Sequence, residues 1–174
     1  MRIIGGRRRG KALAAPPGQT TRPTAERVRQ ALFDMLMHAG WAGREAVAGA
    51  VVLDAFAGTG ALALEALSRG AARAACLERD PAALAALRAN IAACGCASCC
   101  TVEAGDVLAP LPGEAATLLF LDPPYGHDLV ERGLAALAAA GRIAPGALVA
   151  AELGRGEADP VFGTVLADRA HGAA

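Results

Sequence analysis

The stretch Val51-Val52-Leu53-Asp54-Ala55-Phe56-Ala57-Gly58-Thr59-Gly60-Ala61-Leu62 decides how the rest of the chain is read. An apolar run over Ala50–Asp54 ends in a carboxylate, glycines follow at 58 and 60, and a helical pattern opens at Ala61 and runs to Ser68 before Gly70. A short apolar run bounded by breakers predicts a buried strand. Two glycines before a helix allow a tight turn and close backbone approach of a ligand to the helix N-terminus. Position 63 is Ala rather than the third glycine of a dinucleotide fingerprint, and Asp54 stands where dinucleotide enzymes usually carry an apolar residue. A carboxylate there repels a pyrophosphate and suits a cation, such as the ammonium and sulfonium of S-adenosylmethionine.

Downstream, strands and helices alternate. Ala74–Glu78 reads as a second strand, and Asp80 as the cap of a helix with Pro81 at its first position, ending near Ala93. Cys99–Glu103 is a weaker third strand, Ala116–Asp122 a fourth, Leu129 to Leu137 a helix by its apolar spacing, and Ala147–Glu152 a fifth strand. Repeated alternation implies right-handed crossovers and a doubly wound, mostly parallel α/β sheet covered on both faces. Glu78, 18 residues after Gly60, is placed to accept from ribose hydroxyls. Asp106, after the third strand, could accept from an adenine amine, although an aspartate after Gly105 also suits a turn. Acids at four consecutive strand ends (Asp54, Glu78, Asp106 and Asp122) point to one crevice.

The fourth strand leads into Asp122-Pro123-Pro124-Tyr125-Gly126. Paired prolines cannot continue a ladder, so an acid, a rigid backbone and a ring are left together at a strand's carboxyl end. An exocyclic amine on a nucleobase is a poor nucleophile because its lone pair is delocalised. The Asp122 carboxylate and the Pro123 carbonyl are two acceptors able to bind both N–H groups and aim the nitrogen. Tyr125 can stack on an extruded base, and Asp122 can take up the displaced proton.

At 174 residues with 54% hydrophobic and 20% charged content, the chain is expected to fold as one domain with a real core. Aromatics are only 3%, so alanine, leucine and valine must fill it. The zero net charge hides an asymmetry: residues 1–30 carry +7 and the remainder −7. A basic arm over residues 1–24 on an acidic body, residues 25–174, points to a polyanion such as nucleic acid. Thr24 is a candidate cap for a helix from Ala25, with Val28, Leu32, Met35 and Leu36 as its apolar stripe. No apolar stretch spans a bilayer and no signal-peptide core opens the chain, so a cytoplasmic location is expected. Cys94, Cys96, Cys99 and Cys100 lack the two-pair spacing of zinc ligands, and reduced thiols without metal are expected.

Asp122-Pro123-Pro124-Tyr125, downstream of Asp54, Phe56, Gly58, Thr59 and Gly60, resembles the amino-methyltransferases that act on planar exocyclic nitrogens. More closely, the chain resembles the RsmD family through Arg2-Ile3-Ile4-Gly5-Gly6 with Arg9-Gly10-Lys11, Thr21-Arg22-Pro23-Thr24 leading into Arg27-Val28-Arg29-Gln30-Ala31-Leu32-Phe33, and Gly60-Ala61-Leu62-Ala63-Leu64-Glu65-Ala66-Leu67-Ser68-Arg69-Gly70-Ala71. The resemblance runs from residue 2 to about Glu152. It implies a Rossmann-like class I fold and methyl transfer from S-adenosylmethionine to the N2 amine of a guanine in small-subunit (16S) ribosomal RNA. Asp54, Gly58, Gly60, Glu78 and Asp106 would then hold the cofactor, and Asp122, Pro123 and Tyr125 the guanine. Arg22 and the arm (Arg7, Arg8, Arg9 and Lys11) would meet RNA phosphate. The implied substrate is a 30S assembly intermediate, met by a monomer. Family members end in two antiparallel strands; Thr164–Arg169 is expected to be the first, residues 170–174 the turn, and the final strand absent. DNA adenine-N6 or protein glutamine methylation, and RNA binding without catalysis, remain as alternatives. Asp54 and the incomplete glycine pattern disfavour an NAD-dependent oxidoreductase.

Overall fold

The structure is a computed structural model and describes residues 1–16, 23–124, 128–154, 156–158 and 160–170. Five strands, β1 (Val51–Asp54), β2 (Arg73–Glu78), β3 (Cys100–Ala104), β4 (Ala116–Leu121) and β5 (Ile143–Ala151), pair in the order β3-β2-β1-β4-β5. Every neighbouring pair is parallel. The helices are α1 (Pro23–His38), α2 (Ala61–Ser68), α3 (Pro81–Ala93) and α4 (Leu129–Ala139). Side chains alternate across a strand, so β1 and β4 feed two cores. Val52, Leu118 and Phe120 pack with Phe33 of α1, Leu64 of α2 and Leu87 of α3. Leu53, Leu119 and Leu121 pack on the other face with Leu134 and Leu137 of α4. Burial on both faces is why these strands read as continuous apolar runs.

Most predicted elements form within a residue or two of their expected bounds, and the Asp80 carboxylate caps α3 by accepting from Ala83 N–H at 2.8 Å. Four expectations change. Helix α1 begins at Pro23, so Thr24 lies inside the first turn rather than at the cap; a proline at the start forgoes an N–H that has no helical partner there. The buried line of α1 is Arg29, Phe33 and Leu36, with Val28, Leu32 and Met35 only half-buried. Strand β5 starts at Ile143, not Ala147, and runs through Pro145 and Gly146 with a register shift opposite Ala116 and Leu118. Such breakers are tolerated at a sheet edge. Finally, Thr164–Arg169 forms no strand, because extended backbone becomes a strand only against a neighbour, and among the described residues the sheet ends at β5. Residues 171–174 of the expected turn lie outside the described residues.

The N-terminal segment is a small hairpin welded to α2. Ile3 N–H donates to Lys11 O at 2.9 Å, Gly10 N–H to Ile3 O at 2.8 Å, and Ile3 and Leu13 are buried in the core. Gly6 has φ +73°, and a Cβ there would meet Ser68 O at 1.9 Å, so the close approach requires glycine. Glu65 of α2 is fully buried. Its carboxylate accepts from the N–H groups of Ile4 (2.7 Å) and Gly5 (2.8 Å) and from Arg69 Nε (2.7 Å), with Arg29 Nε at 3.8 Å. The Ser68 hydroxyl donates to Gly5 O and accepts from Arg8 N–H. Arg69 also lies over the Phe33 ring, 5.0 Å from its centroid. All five cysteines are free thiols; Cys76 and Cys100 on neighbouring strands bring their Sγ atoms to 3.7 Å.

Removing one partner of a buried charged network strands the others. Glu65→Ala is therefore expected to lower stability by about 3–5 kcal/mol in urea unfolding and to speed amide exchange first at Ile4 and Gly5. A loss under about 1 kcal/mol, in the range of exposed pairs, would mean that the hairpin holds without this carboxylate.

Candidate active site

All strands of a parallel sheet point their carboxyl ends to one edge, and the order β3-β2-β1-β4-β5 reverses direction between β1 and β4. A crevice opens at such a reversal. Asp54 closes β1 and Asp122 follows β4, with Asp54 registered opposite Phe120 and Ala55 N–H bonded to Phe120 O at 2.9 Å. Glu78 closes β2 beside β1, and Asp106 follows β3. The structure thus brings the four sequence-predicted acids to one edge.

Asp54 is 1% exposed. Its Oδ2 accepts from Ala63 N–H in the first turn of α2 at 3.2 Å, whereas its buried Oδ1 has no partner among the described residues. Burial, and then the negative charges of Asp122 and Glu78, push its carboxyl up to about 7 against the pull of the Ala63 N–H. An orphaned buried carboxylate oxygen at the switch point is fitted to receive a cation.

The glycine turn between β1 and α2 is held rather than loose. Gly58 (φ +53°) and Gly60 (φ +77°) adopt the left-handed region, and a Cβ on Gly60 would strike Leu87 at 2.4 Å. Glu78 is the clasp. Its Oε2 accepts from Gly58 N–H at 2.7 Å, and its Oε1 from the N–H groups of Arg79 and Asp80, both at 2.8 Å. Asn90, buried on α3, donates to Thr59 O and Ala14 O and accepts from Ala14 N–H, tying the turn to the N-terminal segment. Asp106 makes a turn bond to Leu108 N–H at 2.9 Å and an exposed ion pair with Arg79 at 3.1 Å. That turn bond first, and Arg79 after it, lower its carboxyl.

At the reacting end Asp122 is exposed, Pro123 buried and Pro124 exposed; Tyr125 lies outside the described residues. Desolvation around the carboxyl, and then the neighbouring Glu152 carboxylate, push Asp122 up to about 6.

Of the arm, Arg7, Arg9 and Lys11 are exposed on the hairpin, and none has a carboxylate partner among the described residues. Arg8 is committed inward, its Nε donating to Cys94 O at 2.7 Å. Arg22 lies outside the described residues. Arg27, not singled out from the sequence, is exposed and shares a groove with Arg2 and Arg9. Glu65, Asn90 and Glu152 were also missed. The only available signal was a polar residue at an apolar helical position or at a strand end.

The Asp54 carboxyl has a testable sign. A group that ionises at about 7 when folded and at its ordinary carboxyl value when unfolded contributes stability that is present in acid and lost as pH rises through about 7. Asp54→Asn, without ligand, is expected to gain stability over the natural chain from about pH 4 to about pH 7 and then level off. The gain follows about 1.4 kcal/mol per unit of displacement as an upper bound. A stability difference that does not change with pH, measured by thermal unfolding, would remove Asp54 as the strained group.

The family model described as Conserved hypothetical protein 95 matches residues 1–166. Ribosomal RNA small subunit methyltransferase D of Escherichia coli (strain K12) is 39% identical over 154 residues, covering 87% of this chain and 74% of its own length. The protein of the same name from Haemophilus influenzae is 32% identical over 161 residues, covering 87% and 78%. Among solved structures, Escherichia coli yhhF superposes with a TM-score of 0.83 at 34% identity, over 99% of this chain and 92% of that one. The sheet order and the glycine turn are those of the class I methyltransferase fold. With the match extending from the N-terminal hairpin past the fifth strand, the chain belongs to the Conserved hypothetical protein 95 family, the RsmD family of methyltransferases.

Proposed function

We propose that the chain methylates the exocyclic N2 amine of a guanine in small-subunit ribosomal RNA, with S-adenosylmethionine as donor. The observation that carries this reading is the pairing of Asp54 and Asp122 across the switch point, one with a buried orphan oxygen fit for a cation and one set to accept from an amine. Support for RNA comes from the family's named relatives and from the exposed cations Arg7, Arg9, Lys11 and Arg27, which have no carboxylate partner among the described residues. The substrate is a 30S assembly intermediate, met by a monomer in the cytoplasm.

When bound, S-adenosylmethionine supplies an electrophilic methyl group on a positively charged sulfur. Asp54 would hold its cationic end, Gly58 and Gly60 would let it approach the backbone, and Glu78 would accept from its ribose hydroxyls while still clasping the turn. Asp106 would accept from the adenine amine in place of Arg79, an exposed pair of small worth. Asp122 and the Pro123 carbonyl would bind the two N–H groups of the guanine amine, turning its lone pair out of conjugation. Tyr125 would stack on the base.

Tritiated S-adenosylmethionine and 30S particles from a strain lacking the modification test the reading. Label on guanine N2 is expected; label only on DNA or protein moves the assignment to those substrates, and calorimetry without cofactor binding removes methyl transfer altogether. Asp122→Ala is expected to abolish turnover with cofactor affinity nearly unchanged; a large loss of affinity would put Asp122 at the donor end. Joint replacement of Arg7, Arg9 and Lys11 by Ala should weaken RNA binding and reduce its salt slope by about 2–3, roughly one for each lost phosphate contact. An unchanged slope would make the hairpin a bystander.

A further inference from the structure

Strands β4 and β5 run parallel with Leu121 opposite Ala151, and Glu152 N–H donates to Leu121 O at 2.8 Å. The next pair in this register is Asp122 and Glu152, so the two side chains leave the sheet side by side, at a strand spacing of about 4.8 Å. Glu152 is the charged neighbour that weighs on the Asp122 carboxyl. Two ionised carboxylates only accept, so a hydrogen bond between them forms once one of them takes up a proton. At the neighbouring strand ends, Asp122 and Glu78 both raise the Asp54 carboxyl of β1. Helix α4, packed behind β5, turns Glu131 to Val161 N–H and Arg132 toward Asp106.

We propose that Glu152 is a positioning residue for Asp122, a second carboxylate that orients the first and shares the proton released by the methylated amine. The proposal rests on the methyl-transfer reading above. Once the methyl group is in place, the nitrogen carries one proton too many. An N–H bond breaks with its electron pair left on nitrogen, an O–H bond forms on Asp122, and Glu152 accepts from that O–H. The pair passes from two negative charges to one, then releases the proton to water. Glu152 thus moves the acceptor's proton affinity toward the working pH, where general bases are most effective.

The test combines a titration of the ligand-free chain with turnover. With 13C-labelled carboxyl groups, the Asp122 resonance, assigned by its loss in Asp122→Asn, should titrate near 6 in the natural chain. In Glu152→Gln it should titrate at least about one unit lower, because one negative neighbour is replaced by a hydrogen-bond donor. The acid limb of kcat against pH on 30S particles should move down with it. At neutral pH, kcat should fall about tenfold while KM for S-adenosylmethionine stays unchanged. Glu152 is exposed, so the variant is expected to fold. An unmoved Asp122 midpoint, or a fall in kcat with an unmoved pH profile, overturns the proposal. A coupled titration in a natural chain that methylates no substrate overturns the proposed function, and this proposal with it.

Discussion

Asp54 takes a carboxylate to a place where one oxygen has an N–H partner and the other has none among the described residues. The sheet enforces this: five parallel strands bring all their carboxyl ends to one edge, and Asp54, Glu78, Asp106, Asp122 and Glu152 follow or close those strands. Burial raises the Asp54 and Asp122 carboxyls most, and neighbouring negative charge adds to it, from Asp122 and Glu78 on the first and from Glu152 on the second. A carboxylate stripped of water favours a cation or a proton beside it, so one constraint acts on both halves of the crevice.

The same edge was legible in the sequence, because β1, β2 and β4 are short apolar runs that stop at an acid, with β3 the weaker case. The glycine turn was legible too, through Gly58, Gly60 and the helix that follows. What could not be read was what these groups bond to. Glu78 suggested a ligand contact, yet here its carboxylate clasps Gly58 N–H. Glu65 and Asn90 sit on helix faces where periodicity marks only apolar contacts, and their partners lie 60 and 76 residues away in sequence. The start of β5 was hidden by Pro145 and Gly146, residues that an edge strand accepts and a central one does not. Glu152 was visible as a strand end, but its neighbour depends on the β4–β5 register, which local sequence does not encode.

Charge counting gave a strongly basic arm, and the structure divides that charge by use. Arg29 is buried against Glu65, Arg8 is bound to Cys94 O, and Arg2 pairs with Glu26 at 3.4 Å. Among the described residues the remaining cations, Arg7, Arg9 and Lys11 on the hairpin and Arg27 on α1, stand on the surface. Arg9 and Arg27 line one groove, so two segments of the chain supply its charge.

The hairpin's anchors lie on α2, so Ile4, Gly5 and Arg8 reach partners 60 or 61 residues further along the chain. During synthesis these residues therefore wait for their partners to be made. At ~5–20 residues per second, roughly 3–12 s pass before Glu65 and Ser68 have followed them. In that interval the arginine-rich hairpin segment is without its α2 anchors.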